Sequence, residues 1–517
     1  MTESAYRTIR LHALGDILRE HRRSRRNFRA LVEGDVCYTY EQFDVRVNRL
    51  ANLLRAKGMR KGERLLWMGQ NSHRLLECLL AAAKLGAICC PANWRMSESE
   101  MAAVIEDFAP HVIIWQEAEV GDTVRAARGK VKDEHCWIQH DSDGPDSYEA
   151  LLAIQSDRDD EERIEPELPV LAVYTAAFGG RPSAALITHS AVMYQNLIIG
   201  RVQGVDESSV NLNSGPMCHI ATLMTTLAVF HHGGCNAFIA RMNAEDVLKC
   251  IEKERVTHAF LPPPTIEQIR AINAEGKYDV SSCWATADAQ EYNGNPMVAP
   301  ASSPWGRNFG GYGQTEVMGM FSMRAFGGST MAGRPISMVQ VRIVDETGQD
   351  VPPGETGEIV VRGALVMSGY FDRDRPGEEN ETRSRDGWHH TNDLGKREED
   401  GSLVFVGPKT TIIKSAAENV YPAEVENCLR THPAVADVCV IGVPDPKWEQ
   451  SVKAVVVLRS DASATPEELI EHCKARIASY KKPRFVDFAD ALPKAGFVVD
   501  RKAVDAAFGG GGYPKAH

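Results

Sequence analysis

The sequence lacks any apolar run long enough to span a bilayer, so we expect no membrane-spanning helix. Its 12 cysteines include no Cys-x-x-Cys pair, and several of them lie inside apolar segments. That pattern is typical of buried thiols in a reducing compartment, so we expect neither a disulfide framework nor a zinc site. Residues 1–7 lack the apolar core of a secretory signal, and the sequence therefore predicts a cytoplasmic protein.

Positive charge is also scarce. Lys and Arg number 58 against 70 Asp and Glu, which gives a formal net charge of −12. A surface of that sign repels phosphate backbones, so we expect no nucleic-acid partner. The chain has 517 residues, more than one hydrophobic core usually supports, and the sequence predicts at least two domains.

The order of apolar patterns indicates the fold class. A helical pattern over 41–57 ends at Gly58, and short apolar runs such as 64–68 then alternate with helical stretches such as 73–83. This alternation predicts an α/β protein whose mixed and largely parallel sheets are layered with helices. An acidic segment over 155–167 is typical of a solvated connection.

The second half of the chain has a different pattern. Beyond Gly310 the pattern becomes richer in strands, which predicts a β-rich subdomain. After Gly407 a compact α+β unit follows, with a helix opened by a Thr465–Glu468 capping box. We therefore predict a large N-terminal domain at 1–407, a hinge at 408–411, and a small mobile C-terminal lid domain at 412–517.

One glycine-containing segment suggests the chemistry. Residues 174–184 read Tyr-Thr-Ala-Ala-Phe-Gly-Gly-Arg-Pro-Ser-Ala. The segment resembles the signature loop of the acyl-adenylate-forming superfamily, which includes acyl-CoA synthetases and in which this loop cradles a triphosphate. A phosphate loop uses close backbone N–H groups, hydroxyls and a lysine. Here Phe178 stands among the hydroxyl and glycine positions and Ser183 stands where the family has its lysine.

Further segments strengthen the resemblance. Gly-Tyr-Gly-Gln-Thr-Glu at 311–316, Gly-Arg-Pro at 333–335 and Gly-Trp-His-His-Thr-Asn-Asp-Leu-Gly at 387–395 follow in the family's order. The resemblance implies that Tyr312 lies against adenine, that Asp393 takes the ribose hydroxyls and that Glu316 holds Mg²⁺ if Mg²⁺ is used. It adds Thr175, Gln314 and Thr315 to the remaining nucleotide-type pocket, with Thr315 near the α-phosphate.

The C-terminal motifs depart from the family. Pro408 stands where an arginine would contact ribose, and Thr411 stands at the hinge position. The C-terminal lysine pattern is one residue shorter, and Val499 lies where the catalytic lysine is expected, while Lys494 matches only the outer lysine. Because several phosphate-facing groups are replaced together, we do not expect efficient use of ATP and Mg²⁺.

The resemblance also places a substrate pocket, lined by Met217, Cys218, Trp284 and Met320. A Cys218–His219 nucleophile and base is an alternative, but adjacent residues seldom face each other and pocket lining is favoured. The candidate catalytic groups are Glu316, His219 and Asp288.

Three functions stay open at this point. In the favoured one, an enzyme binds an acyl or aryl carboxylate or its CoA thioester and acts on it without efficient adenylation, for example by thioester hydrolysis, elimination or rearrangement. The alternatives are an ATP-dependent carboxylate–CoA ligase or amide synthetase that works through acyl-AMP, and a non-catalytic pseudoenzyme. The expected partners are small molecules, CoA thioesters among them, and the family is often dimeric, so a homodimer is one state to test.

Overall fold

The computed structural model describes residues 8–132, 135–175, 183–261, 263–283, 297–300, 302–308, 310–371, 384–409, 413–415, 418–420, 422–446, 449–477, 481–495 and 498–512. By its internal contacts the chain divides into two compact units, 1–340 with 361–389 and 341–360 with 390–517.

The helices are α1 (Leu14–Ser24), α2 (Tyr40–Ala56), α3 (His73–Leu85), α4 (Glu98–Phe108), α5 (Gly121–Arg128), α6 (Tyr148–Ala153), α7 (His189–Gln203), α8 (Ile220–His231), α9 (Ala244–Glu254), α10 (Pro263–Ile272), α11 (Pro304–Arg307), α12 (Pro422–Arg430), α13 (Pro466–Lys474) and α14 (Arg501–Ala507). Two 3-10 turns cover Thr315–Val317 and Arg324–Phe326.

The strands are β1 (Arg29–Glu33), β2 (Val36–Thr39), β3 (Arg64–Met68), β4 (Ile88–Pro91), β5 (Val112–Trp115), β6 (Cys136–Gln139), β7 (Pro169–Tyr174), β8 (Ala184–Thr188), β9 (Val210–Asn213), β10 (Cys235–Phe238), β11 (His258–Phe260), β12 (Met297–Val298), β13 (Gly311–Gln314), β14 (Gly319–Met323), β15 (Arg334–Pro335), β16 (Val339–Val344), β17 (Gly357–Gly363), β18 (Gly369–Phe371), β19 (Ser384–Arg385), β20 (Trp388–Arg397), β21 (Leu403–Pro408), β22 (Ile413–Ser415), β23 (Glu418–Val420), β24 (Val435–Asp445), β25 (Glu449–Leu458), β26 (Phe485–Phe488), β27 (Lys494–Ala495) and β28 (Val498–Val499).

Two large sheets form the first unit. One has the strand order β12-β11-β9-β10-β1-β2, and the other has the order β18-β8-β7-β4-β3-β5-β6. The inner strands run parallel, as between β1 and β10 and between β3 and β4, while β8 is antiparallel to both β7 and β18. The loop after β3 belongs to one of these sheets and the loop after β9 to the other, and Asn71 of the first loop hydrogen-bonds to the backbone of the second, so the two loops meet.

Helix α2 shows how the local sequence determines the structure. Phe43, Val47, Leu50 and Leu54 recur at helical spacing and are all fully buried. Each buried side chain of this size stabilises the fold by about 1.5–3 kcal/mol. The helix begins with a capping box in which the Thr39 side chain accepts from the N–H of Gln42. The predicted helix over 41–57 is confirmed.

The second unit contains a C-terminal sheet with the order β23-β22-β25-β24, to which β26 is added beside β25. The β24–β25 pair is a long antiparallel hairpin, and its buried valines pack against α12 and α13. The capping box of α13 forms as predicted, between Thr465 and Glu468.

The mixed α/β architecture, with a larger first unit and a smaller second unit, confirms the predicted fold class. The contact division assigns 341–360 and 390–407 to the second unit, whereas the predicted boundary lies at 407. Thr411 lies outside the described residues, so the hinge at 408–411 and the mobility of the lid stay predictions. Among the described residues, no helix is both long and apolar enough to cross a membrane.

All 12 cysteines are free thiols and most are buried, with Cys37 exposed. The predicted absence of disulfides therefore holds. The acidic segment 155–167 is irregular and mostly exposed, as predicted for a solvated connection, but it is also held by specific contacts. Side chains of α1, α2 and α3 bind it, and Asp159 contacts the buried Lys84 and Arg19. The acidic pattern alone could not reveal these buried cations, which come from distant parts of the sequence.

Candidate functional site

A loop after β9 carries three predicted pocket residues, 217–219, and Asn71 holds that loop in place. The Nδ2 atom of Asn71 donates to the carbonyl oxygens of Asn213, at 3.0 Å, and Gly215, at 2.7 Å. Its Oδ1 atom accepts from the backbone N–H of Met217 at 3.0 Å. Because Asn71 is buried and all three contacts are to backbone, one amide fixes the path of the loop.

A network of amides lies beneath this loop. Asn236 accepts hydrogen bonds from Asn211 and Asn213, each at 3.1 Å, and donates to the carbonyl oxygen of Thr226 at 3.1 Å. All four residues are buried. The network therefore joins the ends of β9 and β10 to α8, the helix that begins directly after the loop.

The structure argues against Cys218 and His219 as a nucleophile and base. Cys218 is buried, and desolvation raises the pKa of its thiol to about 12, so the thiolate is absent at neutral pH. His219 is the exposed N-cap residue of α8, and its side chain makes no capping bond. Partial burial and the nearby Arg95 guanidinium lower the pKa of His219. A neutral imidazole at a helix N-terminus fits the favoured interpretation of a pocket border.

Arg95 belongs to a cationic and aromatic surface next to the same loop. Its guanidinium lies 4.8 Å from the centre of the Trp94 ring, and Arg241 lies over that ring at 6.0 Å. Trp94 and Arg95 follow the carboxyl end of β4, and Arg241 follows that of β10. Arg241 is paired with the carboxylate of Glu119, so Arg95 supplies the positive charge on this surface that suits an anionic ligand.

Met320 lies on β14 and contacts α8. The backbone N–H of Met320 lies 3.4 Å from the Sδ atom of Met224 on α8. Gln195, on α7, donates to the carbonyl oxygen of Met320 at 2.8 Å and to the Met224 sulfur at 3.3 Å. Gly319 has φ 91°, and a Cβ atom there would lie 2.2 Å from that sulfur, so only glycine allows this approach.

The segment 311–316 forms β13 and the start of a 3-10 turn. The Tyr312 ring is buried and packs edge-on against Phe321, with ring centres 5.1 Å apart. The Nε2 atom of Gln314 lies 3.4 Å from the Tyr312 hydroxyl, and its Oε1 atom lies 3.1 Å from Nε2 of His389. Thr315 opens the turn and accepts at its carbonyl oxygen from Met318 at 3.1 Å.

Glu316 is buried in the same turn. Its carboxylate accepts from the Tyr370 hydroxyl at 2.6 Å, and its carbonyl oxygen accepts from the N–H of Met367 at 2.8 Å. Tyr370 lies on β18, where it pairs with Ala185 of β8, the strand that follows the predicted phosphate loop. The fold therefore links Glu316 to β8 through Tyr370, whereas its roles as catalytic group and as Mg²⁺ ligand stay predictions.

Thr175 and Ser183 close the hairpin at the base of the predicted phosphate loop. The backbone N–H of Thr175 donates to the carbonyl oxygen of Ser183 at 2.9 Å, and the Thr175 hydroxyl lies 3.3 Å from the same oxygen. The position at which the resemblance places a lysine is thus occupied by Ser183, a short side chain without positive charge, directly before β8.

In the second unit, Asp393 lies on β20 and pairs across the strands with Pro408 of β21. The preceding Asn392 has φ 55°, the left-handed region that the family's glycine would favour, and Asn is among the few other residues that tolerate it. Asn392 therefore adopts a backbone conformation that a glycine would also adopt at this position.

The carboxylate of Glu358 anchors this part of the second unit. It accepts from Lys409 Nζ at 2.9 Å and from the Asn392 N–H at 3.3 Å, and His390 Nδ1 lies at 3.1 Å. Burial alone would raise the pKa of Glu358, but hydrogen bonds from His390 and Lys409 outweigh it and lower the pKa to about 2. Lys409, the residue directly after Pro408, is thus bound to the carboxylate of Glu358 in the same unit.

Val499 lies in the short β27–β28 hairpin, where it pairs with Lys494. The Lys494 ammonium is 52% exposed and lies 3.8 Å from Asp437. No cationic side chain stands at the Val499 position itself.

Several predicted site residues lie outside the described residues, namely Phe178, Trp284, Asp288 and Thr411. Within the described ranges, no group of three or more His, Cys, Asp or Glu side chains is placed to hold a metal ion.

The sequence patterns did not identify Asn71, Gln195, Met224, Arg95 or Glu358. Each acts through contacts with residues far along the chain, and none belongs to a recognisable short motif. The apolar face of α8 gave the only available signal, and it marks Met224 as buried without showing what it contacts.

Comparisons with known proteins agree with this geometry. The family model of the AMP-binding enzyme matches residues 18–371, and the model of the AMP-binding enzyme C-terminal domain matches residues 424–496. A feruloyl-CoA synthase of Amycolatopsis sp is 34% identical over 90% of this chain and 93% of its own length. An indoleacetate–CoA ligase of Aromatoleum aromaticum is 30% identical over 90% of this chain and 92% of its own.

Solved structures show the same fold. An anthranilate CoA ligase in complex with anthranoyl-AMP has a TM-score of 0.81 at 22% identity, with 97% of this chain and 98% of that chain covered. ATP-bound MatB from Rhodopseudomonas palustris has a TM-score of 0.78 at 23% identity, with 93% and 96% covered.

Proposed function

The chain belongs to the AMP-binding enzyme family, and on that premise we propose that it binds an acyl or aryl carboxylate or its CoA thioester and acts on it without efficient ATP-dependent adenylation. The reaction classes that fit are thioester hydrolysis, elimination and rearrangement. The observation that carries the proposal is that Ser183 and Val499 occupy the two positions where the family has lysines.

These two positions matter because a triphosphate and a developing adenylate are anionic. One positioned cation or donor is typically worth about 2.7–4 kcal/mol in the transition state, or roughly a hundred- to a thousandfold in rate. Ser183 lies at the base of its hairpin, and Val499 pairs with an outward lysine. The nearby Lys409 is bound to Glu358. These contacts support the loss of adenylation.

The nucleotide positions fit only in part. Tyr312 and Asp393 stand where the resemblance places adenine and ribose, and both lie on strands, β13 and β20. The side chains at the phosphate positions do not supply the charge that a triphosphate requires. We therefore assign no reaction step to ATP or Mg²⁺.

The features on the substrate side support an aromatic acid or its thioester. Met217 precedes α8 and Met320 contacts Met224 on that helix, and thioethers pack well against rings. Arg95 and Trp94 lie beside His219 at the same end and suit an anionic group. The names of the two relatives given above refer to aromatic acids, ferulate and indoleacetate.

An ATP-dependent carboxylate–CoA ligase is the second candidate. It is favoured by the 34% identity to a feruloyl-CoA synthase over 90% of the chain, and by the retention of Tyr312, Glu316 and Asp393. A pseudoenzyme would bind the same ligands but turn over no thioester.

Calorimetry separates these candidates. We expect Mg·ATP to give no binding heat at micromolar concentrations, whereas cinnamic acid or one of its ring-hydroxylated forms binds. A doubly substituted chain, Ser183→Lys with Val499→Lys, is the matched variant and should gain affinity for ATP. Micromolar affinity of the unmodified chain for Mg·ATP would instead favour the ligase. A panel of aryl-CoA thioesters, followed by loss of the thioester absorbance, then distinguishes an enzyme from a pseudoenzyme.

A further inference from the structure

Helix α1 is attached at both ends through a buried imidazole ring. At its first turn, the backbone N–H of Leu14 donates to Nδ1 of His189, the first residue of α7, at 3.3 Å. At its last turn, Nε2 of His21 lies 2.9 Å from the carbonyl oxygen of Phe230, near the end of α8. Both histidines are buried. Two contacts between residues far apart in sequence therefore join α1 to α7 and α8.

The hydrogen-bond partners determine the protonation state of His189. A backbone N–H can only donate, so Nδ1 of His189 carries no hydrogen and the ring is neutral. Its Nε2 atom has no partner among the described residues. A proton added to this ring would go to Nδ1 and would abolish the bond from Leu14.

The roles of the two ring nitrogens are reversed in His21. A carbonyl oxygen can only accept, so Nε2 of His21 carries the hydrogen of its bond to Phe230. Its Nδ1 atom is buried and has no partner in the described part of the chain. A proton added to His21 would therefore lie on a buried nitrogen that has no acceptor, which is costly.

The charges around His189 do not offset a proton on its ring. Burial lowers the pKa of His189 from 6.5 to about 4, and the carboxylate of Asp16 on α1 acts against this shift without outweighing it. That carboxylate already accepts from Arg19 at 2.8 Å and from the N–H of Ala13 at 2.9 Å. The position of His189 at the N-terminus of α7 also disfavours a cation.

The surroundings of His21 also favour the neutral ring. Burial lowers the pKa of His21 from 6.5 to about 4, and the Arg25 guanidinium acts in the same direction. The carbonyl oxygens of Phe230 and His231 and the exposed Glu20 act against this shift but do not outweigh it. The other titratable or charged side chains that face α1 are Tyr40 and Asp44 on α2, Lys84 on α3, Glu207 after α7, and Asp159, Glu161 and Arg163 in the segment 155–167.

The ion pair between α1 and the acidic segment does not respond to the same pH range. Burial would raise the pKa of Asp159, but hydrogen bonds from Arg19 and Lys84 outweigh it and hold that pKa well below its usual range. Asp159 therefore stays ionised at pH 5 and keeps its bond to Arg19 at 2.8 Å. The two imidazole rings, in contrast, couple the docking of α1 to pH.

We propose that α1 (Leu14–Ser24) is a pH-sensitive strap of the first unit, which His189 and His21 hold closed while both rings are neutral and which opens locally as the pH falls from 7 to 5. Opening exposes Leu14, Ile17 and Leu18, the buried apolar face of the helix. It also releases both rings to water, where a histidine has a pKa of about 6.5, so acid favours the open form. The proposal does not depend on the proposed function, because neither ring belongs to the predicted site.

Hydrogen exchange of the full chain, followed by mass spectrometry of peptides from 14–24, tests the proposal. A ring whose pKa is 6.5 in the open form and about 4 in the closed form raises the opening equilibrium about twentyfold between pH 7 and pH 5. After correction for the intrinsic exchange rate, the two rings together should lower the protection of α1 about four-hundredfold. A fall of less than about fivefold would overturn the proposal.

Two variants keep the hydrogen bonds and remove the titration. The Oδ1 atom of an asparagine takes the place of a histidine Nδ1 atom, so His189→Asn still accepts from Leu14. The Nε2 atom of a glutamine takes the place of a histidine Nε2 atom, so His21→Gln still donates to Phe230. Each substitution should reduce the pH response of α1 by about twentyfold, because one of the two titrating rings is gone.

His258→Gln is the matched control. His258 is also buried, with its pKa lowered by burial to about 4, and its Nε2 atom lies 3.1 Å from the carbonyl oxygen of Gln203. It lies on β11, however, and its partner is at the opposite end of α7 from His189. The control should leave the pH response of α1 unchanged. Equal effects of all three substitutions would show that α1 exchanges only when the whole unit unfolds, and would contradict a strap that opens locally.

Discussion

At the scale of single residues, Asn71 determines the shape of the predicted pocket loop. Asn71→Ala removes three hydrogen bonds to backbone groups of 213–217. We expect it to lower the free energy of unfolding by about 2–3 kcal/mol, because buried backbone groups lose their partners. We also expect the affinity for the best-bound hydroxycinnamic acid to fall at least fivefold. Urea unfolding and calorimetry measure the two effects separately.

Asn52 provides the control for this substitution. Its side chain also donates to two backbone carbonyl oxygens, those of Ser156 and Arg158, but it does so at the surface and away from the loop. Asn52→Ala should cost less than about 1 kcal/mol and leave the affinity unchanged. If Asn71→Ala bound the acid as well as the unmodified chain, the loop would not depend on this amide.

Cys218 gives a second test at the residue scale. Burial raises the pKa of its thiol to about 12, whereas Cys37 is exposed. Since alkylation requires the thiolate, iodoacetamide at pH 7.5 should modify Cys37 and spare Cys218 in the folded chain. Mass spectrometry of the digested protein measures both sites. Labelling of Cys218 as fast as that of Cys37 would restore the nucleophile hypothesis.

At the scale of elements, the acidic segment 155–167 stabilises the first unit through Asp159. Its carboxylate lies 2.7 Å from the ammonium of Lys84 and 2.8 Å from Arg19, both of them buried. Asp159→Asn removes this charge, and we expect the free energy of unfolding to fall by about 2–3 kcal/mol. The fall is not larger because Lys84 keeps its contact with Asp44. The midpoint of urea unfolding measures it.

Glu161 supplies the comparison within the same segment. It pairs with Arg23 at the surface, where the two side chains are 43% and 58% exposed. Glu161→Gln should change the stability by less than about 1 kcal/mol. Equal effects of the two substitutions would show that the segment is held by general packing and not by the buried cations.

The elements also show what the sequence could predict. Helix α2 and the α13 capping box depend on residues within a few positions of one another, and their patterns predicted them correctly. The acidic pattern of 155–167 predicted the solvated connection, but not the ion pairs of Asp159 with Lys84 and Arg19, which are distant in sequence. The same reason applies to the site, where motifs located Met217, Met320 and Glu316 while Asn71 and Gln195 could be found only from tertiary contacts.

At the scale of the whole molecule, buried histidines determine the response to acid. Desolvation is the largest factor that lowers the pKa of five histidines of the first unit from 6.5 to about 4, namely His21, His140, His189, His231 and His258. Between these values the unfolded chain binds more protons than the folded one. The contribution of these histidines to the free energy of unfolding is therefore fully present above about pH 6.5. It is lost as the pH falls towards 4, by up to about 1.4 kcal/mol per pH unit for each histidine.

We expect the first unit to lose at least about 3 kcal/mol between pH 7 and pH 5. Urea unfolding followed by hydrogen exchange and mass spectrometry assigns the loss to residues 1–340 and 361–389. Stability that is constant or higher at pH 5 would contradict the neutral, buried state of these side chains.

The most direct test of the proposed function is exchange of labelled pyrophosphate into ATP with the unmodified chain, Mg²⁺ and the hydroxycinnamic acids. We predict no exchange above the rate without enzyme, because Ser183 and Val499 replace the two lysines that the family has at these positions. Exchange at an ordinary enzymatic rate, on the order of 1 per second or faster, would show that the chain forms an acyl-adenylate and would contradict the proposal.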